Sequence, residues 1–193
     1  TGRKLMLKQS LLVISTVLLL QGCAAAVVAG TAGAVTAAND RRTIGSQIDD
    51  NNIEIKSSIA ISEIERLHKF ANVNVISVNG IVLMIGQVPN QEMKEQAQRA
   101  IEGVDGIRKI HNQIRISSNI GMSTQTHDSW LTSKVKTQLL TTENISSNNI
   151  KVITENGEVF LMGLVSDTEA NLAVDVARNV LGVERVIKVF EYL

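Results

Sequence analysis

The chain reads as an α+β protein built from two tandem copies of one small domain behind a leader and a tether. Three observations carry this reading. An Asn-Gly dipeptide lies between two β-rich runs at Asn79-Gly80 and again at Asn156-Gly157. Such a dipeptide is a strong hairpin signal, because a type I′ turn needs positive φ at both central residues. A glycine then closes the second run of each hairpin, Gly86 and Gly163, and both landmarks recur at one step of 77 residues (157 − 80 and 163 − 86). That is an internal repeat. After each hairpin the apolar period changes from two to about 3.6, the spacing of a helix on a sheet.

The order of elements begins with residues 1–22, where Arg3, Lys4 and Lys8 precede an apolar run from Leu11 to Leu20. This is the layout of a secretory signal, and the run is shorter than the roughly 20 residues a membrane span needs. The tetrapeptide Leu20-Gln21-Gly22-Cys23 resembles a bacterial lipobox. The resemblance implies cleavage before Cys23, a diacylglycerol on its thiol and an acyl chain such as palmitate on the new amino terminus. Ala24, rather than Asp, after the cysteine resembles outer-membrane lipoproteins. An uncleaved helix is the alternative, since Leu11 to Val35 carries no charge. Residues 23–45 then read as a tether, low in complexity and without a core of its own.

The first domain is expected over 46–116 and the second over 127–193, joined by a linker at 117–126. Asp49-Asp50 reads as a cap on a first helix of roughly Ile53 to Lys69, with Ile53, Ala60, Ile64 and Leu67 on its inner face. The hairpin follows, and its closing glycine permits a sharp exit or close approach of the next helix. Met93, Ala97, Ala100, Ile101 and Val104 then form one face of a second helix. A third strand is expected from Ile107 to Ile116. The second copy repeats this plan with a helix from Trp130 to Leu140 and a capping box at Ser166-Asp167-Thr168-Glu169. Ala170, Ala173, Ala177 and Val180 follow as its buried stripe, and Val183 to Phe190 as its third strand. Each unit is thus α-β-β-α-β, with two helices on a three-stranded mixed sheet.

The paired Asn-Gly hairpins, the closing glycines and the junctions Val104-Asp105-Gly106-Ile107 and Val180-Leu181-Gly182-Val183 resemble the BON domain. With the lipobox in front, the chain resembles the DolP-like family of dual-BON outer-membrane lipoproteins. That resemblance implies a nonenzymatic protein, lipid-anchored in the outer membrane and facing the periplasm. It also implies a role in envelope integrity and association with phospholipid.

A binding surface is suggested by helical angle. With about 100° per residue, Leu131, Val135 and Leu139 form a core stripe, and Trp130 lies far off it. Three placements follow for this sole tryptophan: the membrane interface, the seam between the two domains, or the helix surface itself. Trp130 with Lys134 and Lys136 is the expected contact for anionic phospholipid, since tryptophan favours the interface and each lysine adds about 1 kcal/mol there. Ile55 and Ile59, off the inner face of the first helix, are the expected contact for a neighbouring domain or an envelope-protein partner in an adaptor role.

Other chemistry is missing from the sequence. Nineteen basic and 19 acidic residues leave no net charge to draw the chain to nucleic acid. His68, His111 and His127 have no ligand spacing, and the single cysteine excludes a thiolate metal site. No nucleophile elbow or phosphate loop is present. No cofactor, metal or catalytic residue is expected.

Overall fold

Each copy folds as a helical layer on one face of a mixed sheet. The computed structural model describes residues 40–117 and 122–193; Cys23, the leader and most of the tether lie outside the described residues. The first module comprises α1 (Ile44–Ser62), α2 (Glu65–Phe70), β1 (Asn72–Val78), β2 (Ile81–Val88), α3 (Gln91–Ile101), β3 (Lys109–Asn112) and β4 (Arg115–Ile116). The second comprises α4 (Met122–Thr141), β5 (Ile150–Glu155), β6 (Glu158–Val165), α5 (Asp167–Arg178) and β7 (Arg185–Tyr192). In both sheets the middle strand of the module, β2 or β6, pairs antiparallel with its hairpin partner and parallel with the last strand. The expected third strand of the first module is split, since β3 and β4 take successive stretches of β2 and Ile114 between them turns into the core.

The first helix departs from expectation. It starts at Ile44, where the Thr43 hydroxyl accepts from the Ser46 amide at 3.0 Å, and it breaks at extended Ile64 before α2. Asp49 and Asp50 are therefore inside a helix and are not its cap. Similarly α4 already runs from Met122, so the end of the expected linker is helical.

Asp50 instead braces the hairpin. Its carboxylate accepts from the amides of Asn79 at 2.7 Å and Gly80 at 2.9 Å, from the Ser77 hydroxyl at 2.7 Å and from Arg42 at 3.0 Å. In the second module Asp128 accepts from the amides of Asn156 at 2.6 Å and Gly157 at 2.9 Å. Both aspartates are 4% exposed, and their charge is offset by these donors. The turns have the expected left-handed backbone, with φ of 52° and 73° at Asn79 and Gly80 and 52° and 76° at Asn156 and Gly157.

Gly86 and Gly163 lie within β2 and β6, not at their ends, and their close neighbour is not the following helix. A Cβ on Gly86 would stand 1.9 Å from the Asn72 carbonyl oxygen, and one on Gly163 2.0 Å from that of Asn149. Each glycine thus lets the chain leading into the paired strand cross tightly over it.

Strand alternation sorts the apolar residues between two cores. Val82, Met84 and Val88 of β2 join Ile53, Leu67, Met93, Ala97 and Ile101 under the first helical layer. Val159, Leu161 and Val165 of β6 join Leu131, Val135, Leu139, Ala170, Ala173 and Ala177 under the second. The opposite faces, with Ile81, Leu83 and Ile85 from β2 and Phe160, Met162 and Val189 from the second module, form a third core. The sheets therefore pack back to back.

They run in opposite senses. Glu191, at the far end of β7, accepts from Arg108 at 2.8 Å and from the Asn79 side chain at the tip of the first hairpin. Glu158, at the tip of the second hairpin, pairs with Arg115 at the far end of β4 at 2.9 Å, and Gln87 bonds Glu155. The two hairpin tips consequently point to opposite ends of the molecule. Arg108 pulls the Glu191 pKa down, whereas burial pushes that of Glu155 up.

A further tie comes from Arg41, which lies within the expected tether. Its guanidinium pairs with Glu169 at 2.6 Å and donates to the Leu164 carbonyl, while its amide donates to the Asn149 side chain at 3.0 Å. Glu169 also accepts from the Ser146 amide at 2.9 Å. The capping box is therefore half made: Ser166 accepts from the Glu169 amide, but the Glu169 carboxylate serves Ser146 and Arg41.

Candidate functional site

The inner stripe of α4 is fully buried, with Leu131, Val135 and Leu139 at 1% or less, and this rotates Trp130 outward. Trp130 is 51% exposed and takes no part in the core between the sheets, which removes the seam as its place. One turn on, the Lys134 ammonium stands over the indole at 4.2 Å from the ring centroid, a cation–π contact. One turn back, the His127 ring lies 5.7 Å away and tilted by 38°. The ring is held between two side chains yet keeps a free outer face.

The junction between α5 and β7 completes the surface. Leu181 at its tip is 82% exposed, and its carbonyl lies 3.5 Å from the Lys134 ammonium. Gly182 lies beneath, with Leu131 and His127 closest to where its Cβ would be. Beside these residues α4 and α5 enclose an open groove of about 480 Å³ lined by Lys134, Gln138, Thr142, Asp175, Val176 and Asn179. An apolar wedge, a cation and a groove are thereby adjacent.

Lys136 does not belong to this group. It lies against Leu139, Leu140, Ser147 and Asn148 on another side of the helix, since six residues turn it by roughly 240° from Trp130. Leu181 and His127, conversely, were not singled out by sequence. Their signal was the contrast between repeats, because the first copy has Asp105 and Asp49 at the equivalent places.

Ile55 and Ile59 are 56% and 52% exposed, and the second module does not cover them. His111 is half-buried, and its pKa is pushed down by burial and by Lys109. Among the described residues no cluster of His, Cys, Asp and Glu could hold a metal, and no helix is long and apolar enough to cross a membrane. The structural turn residues Asn79, Gly80, Gly86, Asn156, Gly157 and Gly163 form the hairpin turns and close strand crossings described above.

Comparison with known proteins agrees with the repeat. The BON domain pattern matches residues 49–118 and 127–193. The chain is 42% identical to the outer membrane lipoprotein DolP of Haemophilus influenzae over 97% of each protein. It is also 42% identical to a 21 kDa hemolysin of Actinobacillus pleuropneumoniae over 80% of this chain and 79% of that protein. The osmotically-inducible protein Y of Escherichia coli is 27% identical over 74% of this chain and 72% of its own. None of these names denotes an enzyme. Two BON domains in tandem, and near full-length similarity to DolP, make this chain a member of the DolP-like family of outer-membrane lipoproteins.

Proposed function

We propose that this protein is a nonenzymatic envelope lipoprotein whose second BON domain binds anionic phospholipid through the start of α4, supporting outer-membrane integrity. The observation that carries the reading is the exposed pair Trp130 and Leu181 with the Lys134 ammonium between them. Indole and leucine enter the headgroup boundary, where an amphipathic ring is favoured. The ammonium remains at phosphate level, tethered to the ring and ready to exchange its cation–π contact for an anionic headgroup. Lipidation of Cys23 supplies the standing attachment, so the site needs only modest affinity of its own. Effective concentration near the bilayer raises its occupancy.

The test removes the anchor and keeps the site. A chain beginning at Ala24 is floated with vesicles containing phosphatidylglycerol and with neutral vesicles. Flotation is expected with the anionic vesicles and is reduced at least tenfold by Trp130→Glu, with unchanged thermal unfolding because the ring is exposed. Leu181→Asp weakens binding less, and Lys136→Ala leaves it near the parent value. Full binding by Trp130→Glu overturns the site.

A further inference from the structure

The seam between the two sheets ends in a polar pair that is only half bonded. Alternation along β2 sends Ile81, Leu83, Ile85 and then Gln87 to the seam face, and Gln87 is fully buried. Alternation along β5 puts Ile153 and then Glu155 on the facing side. The Gln87 Nε2 donates to a Glu155 carboxylate oxygen 68 residues away in sequence, so the bond joins one module to the other. The Gln87 Oε1 is buried as well, and no group among the described residues donates to it. A buried acceptor without a donor is costly and uncommon.

The missing donor is available from the carboxyl group itself. Ionised, Glu155 only accepts; protonated, it gains one O–H. An acid and a primary amide then make two bonds at once, amide N–H to acid carbonyl and acid O–H to amide carbonyl, and Oε1 is satisfied. The proton has a route. Glu155 also lines an open hollow of about 280 Å³ with Gln125, Asp128, Ser129 and Thr132, so water reaches the carboxyl group without parting the sheets.

The surrounding charges are divided. Asp128 of α4 disfavours a second negative charge at Glu155, whereas Arg115 of β4 favours it. Arg115 is already paired with Glu158 of β6, which also holds Arg185 of β7. Burial is the largest influence, and the pKa of Glu155 stands above the ordinary carboxylate value despite the bond from Gln87.

We propose that Glu155 and Gln87 form a proton-operated latch between the two modules, closed as an acid–amide pair when Glu155 takes a proton from solvent and half open when it is ionised. A carboxyl group whose pKa is higher in the fold than in the unfolded chain stabilises the fold fully below the unfolded value. That contribution is lost as pH rises through the folded value. The seam is therefore tighter on acidification, the reverse of the trend set by Glu169 and Glu191, whose pKa values are lowered.

Thermal unfolding of the full chain in a nonionic detergent, at about pH 8 and about pH 4.5, tests this. Glu155→Gln closes the latch at every pH, because its amide donates to Oε1 and its carbonyl accepts from Nε2. It is expected to raise the Tm by about 2–4 °C near pH 8 and to lose most of that gain near pH 4.5, where the parent is closed too. Removing a buried charge could raise the Tm by itself, so the exchange is repeated on Gln87→Met, which keeps the volume and offers no acceptor. There Glu155→Gln is expected to give no gain near pH 8. An equal gain on Gln87→Met would assign the effect to desolvation and overturn the latch. A fall in Tm for Glu155→Gln beside native Gln87, or a gain that does not change with pH, overturns it as well.

Discussion

The two modules share a frame and differ at the end where their first helix meets the third strand. In the second module that corner carries His127, Trp130, Lys134 and Leu181. The residues at the same places in the first are Asp49, Asn52, Lys56 and Asp105. Beneath both corners lies the same glycine, Gly106 or Gly182, against the same helix side chain, Ile53 or Leu131. In the first module the corner is an open hollow of about 400 Å³ with Asp49, Lys56, Asp105 and Arg108 around it. One scaffold therefore presents a wet, charged hollow at one end and an apolar wedge at the other. The frame is shared because it stabilises the fold; the corner is free to change because it does not.

The aspartates test the shared frame and carry the largest expected effect. Asp50 braces its hairpin with four donors including Arg42, whereas two donors are assigned to Asp128. Asp50→Ala is expected to destabilise by about 3–5 kcal/mol, as for a broken buried ion pair. Asp128→Ala is expected to cost about 2–3 kcal/mol from its charged hydrogen bonds. Urea unfolding measures both, and the reverse order would break the comparison.

Exchanging the corner gives the next effect. Asn52→Trp with Asp105→Leu copies the wedge into the first module. The tips point to opposite ends of the molecule, so the second wedge faces away from a bilayer that holds the first. The expected outcome is clustering of anionic vesicles, seen as a rise in turbidity, and not merely about tenfold tighter binding to one of them. Tighter binding without clustering would show that both corners reach one surface.

The smallest effect concerns Arg41. Burial opposes the charge on Glu169, but the hydrogen bonds from Arg41, Ser146 and Ser166 together hold its pKa below the ordinary value. A depressed carboxylate contributes stability above its unfolded pKa and loses it as pH falls through the folded one. Arg41→Ala should therefore cost about 1 kcal/mol near neutral pH. Parent and variant should converge on acidification below the usual carboxylate range, as followed by thermal unfolding.

Much of this was legible in the chain. The turns, the order of elements and the inner faces of the helices follow from periodicity and two Asn-Gly pairs. The exposure of Trp130 followed from its angle to Leu131, Val135 and Leu139, and the same rule applied to Lys136 separates it from the site. The unbroken apolar run Ile81-Val82-Leu83-Met84-Ile85 buries both faces of β2 and makes the back-to-back seam, a signal the sequence reading did not use. Asp50 was misread because an acidic pair near a helix start looks like a cap, while its recurrence as Asp128 pointed to the hairpin. Leu181 was missed because a loop has no period to read. Arg41 was missed for another reason: a contact across 128 residues to Glu169 leaves no local trace.

Arg41 also sets the route by which force enters the fold. Tension on the chain ahead of it is delivered to Glu169, Asn149 and the Leu164 carbonyl before it reaches the first turn of α1. A pull from the anchor thus loads the second module in preference to peeling the first module's leading helix. The load path therefore ends in the module that carries Trp130 and Leu181, ahead of the start of α1.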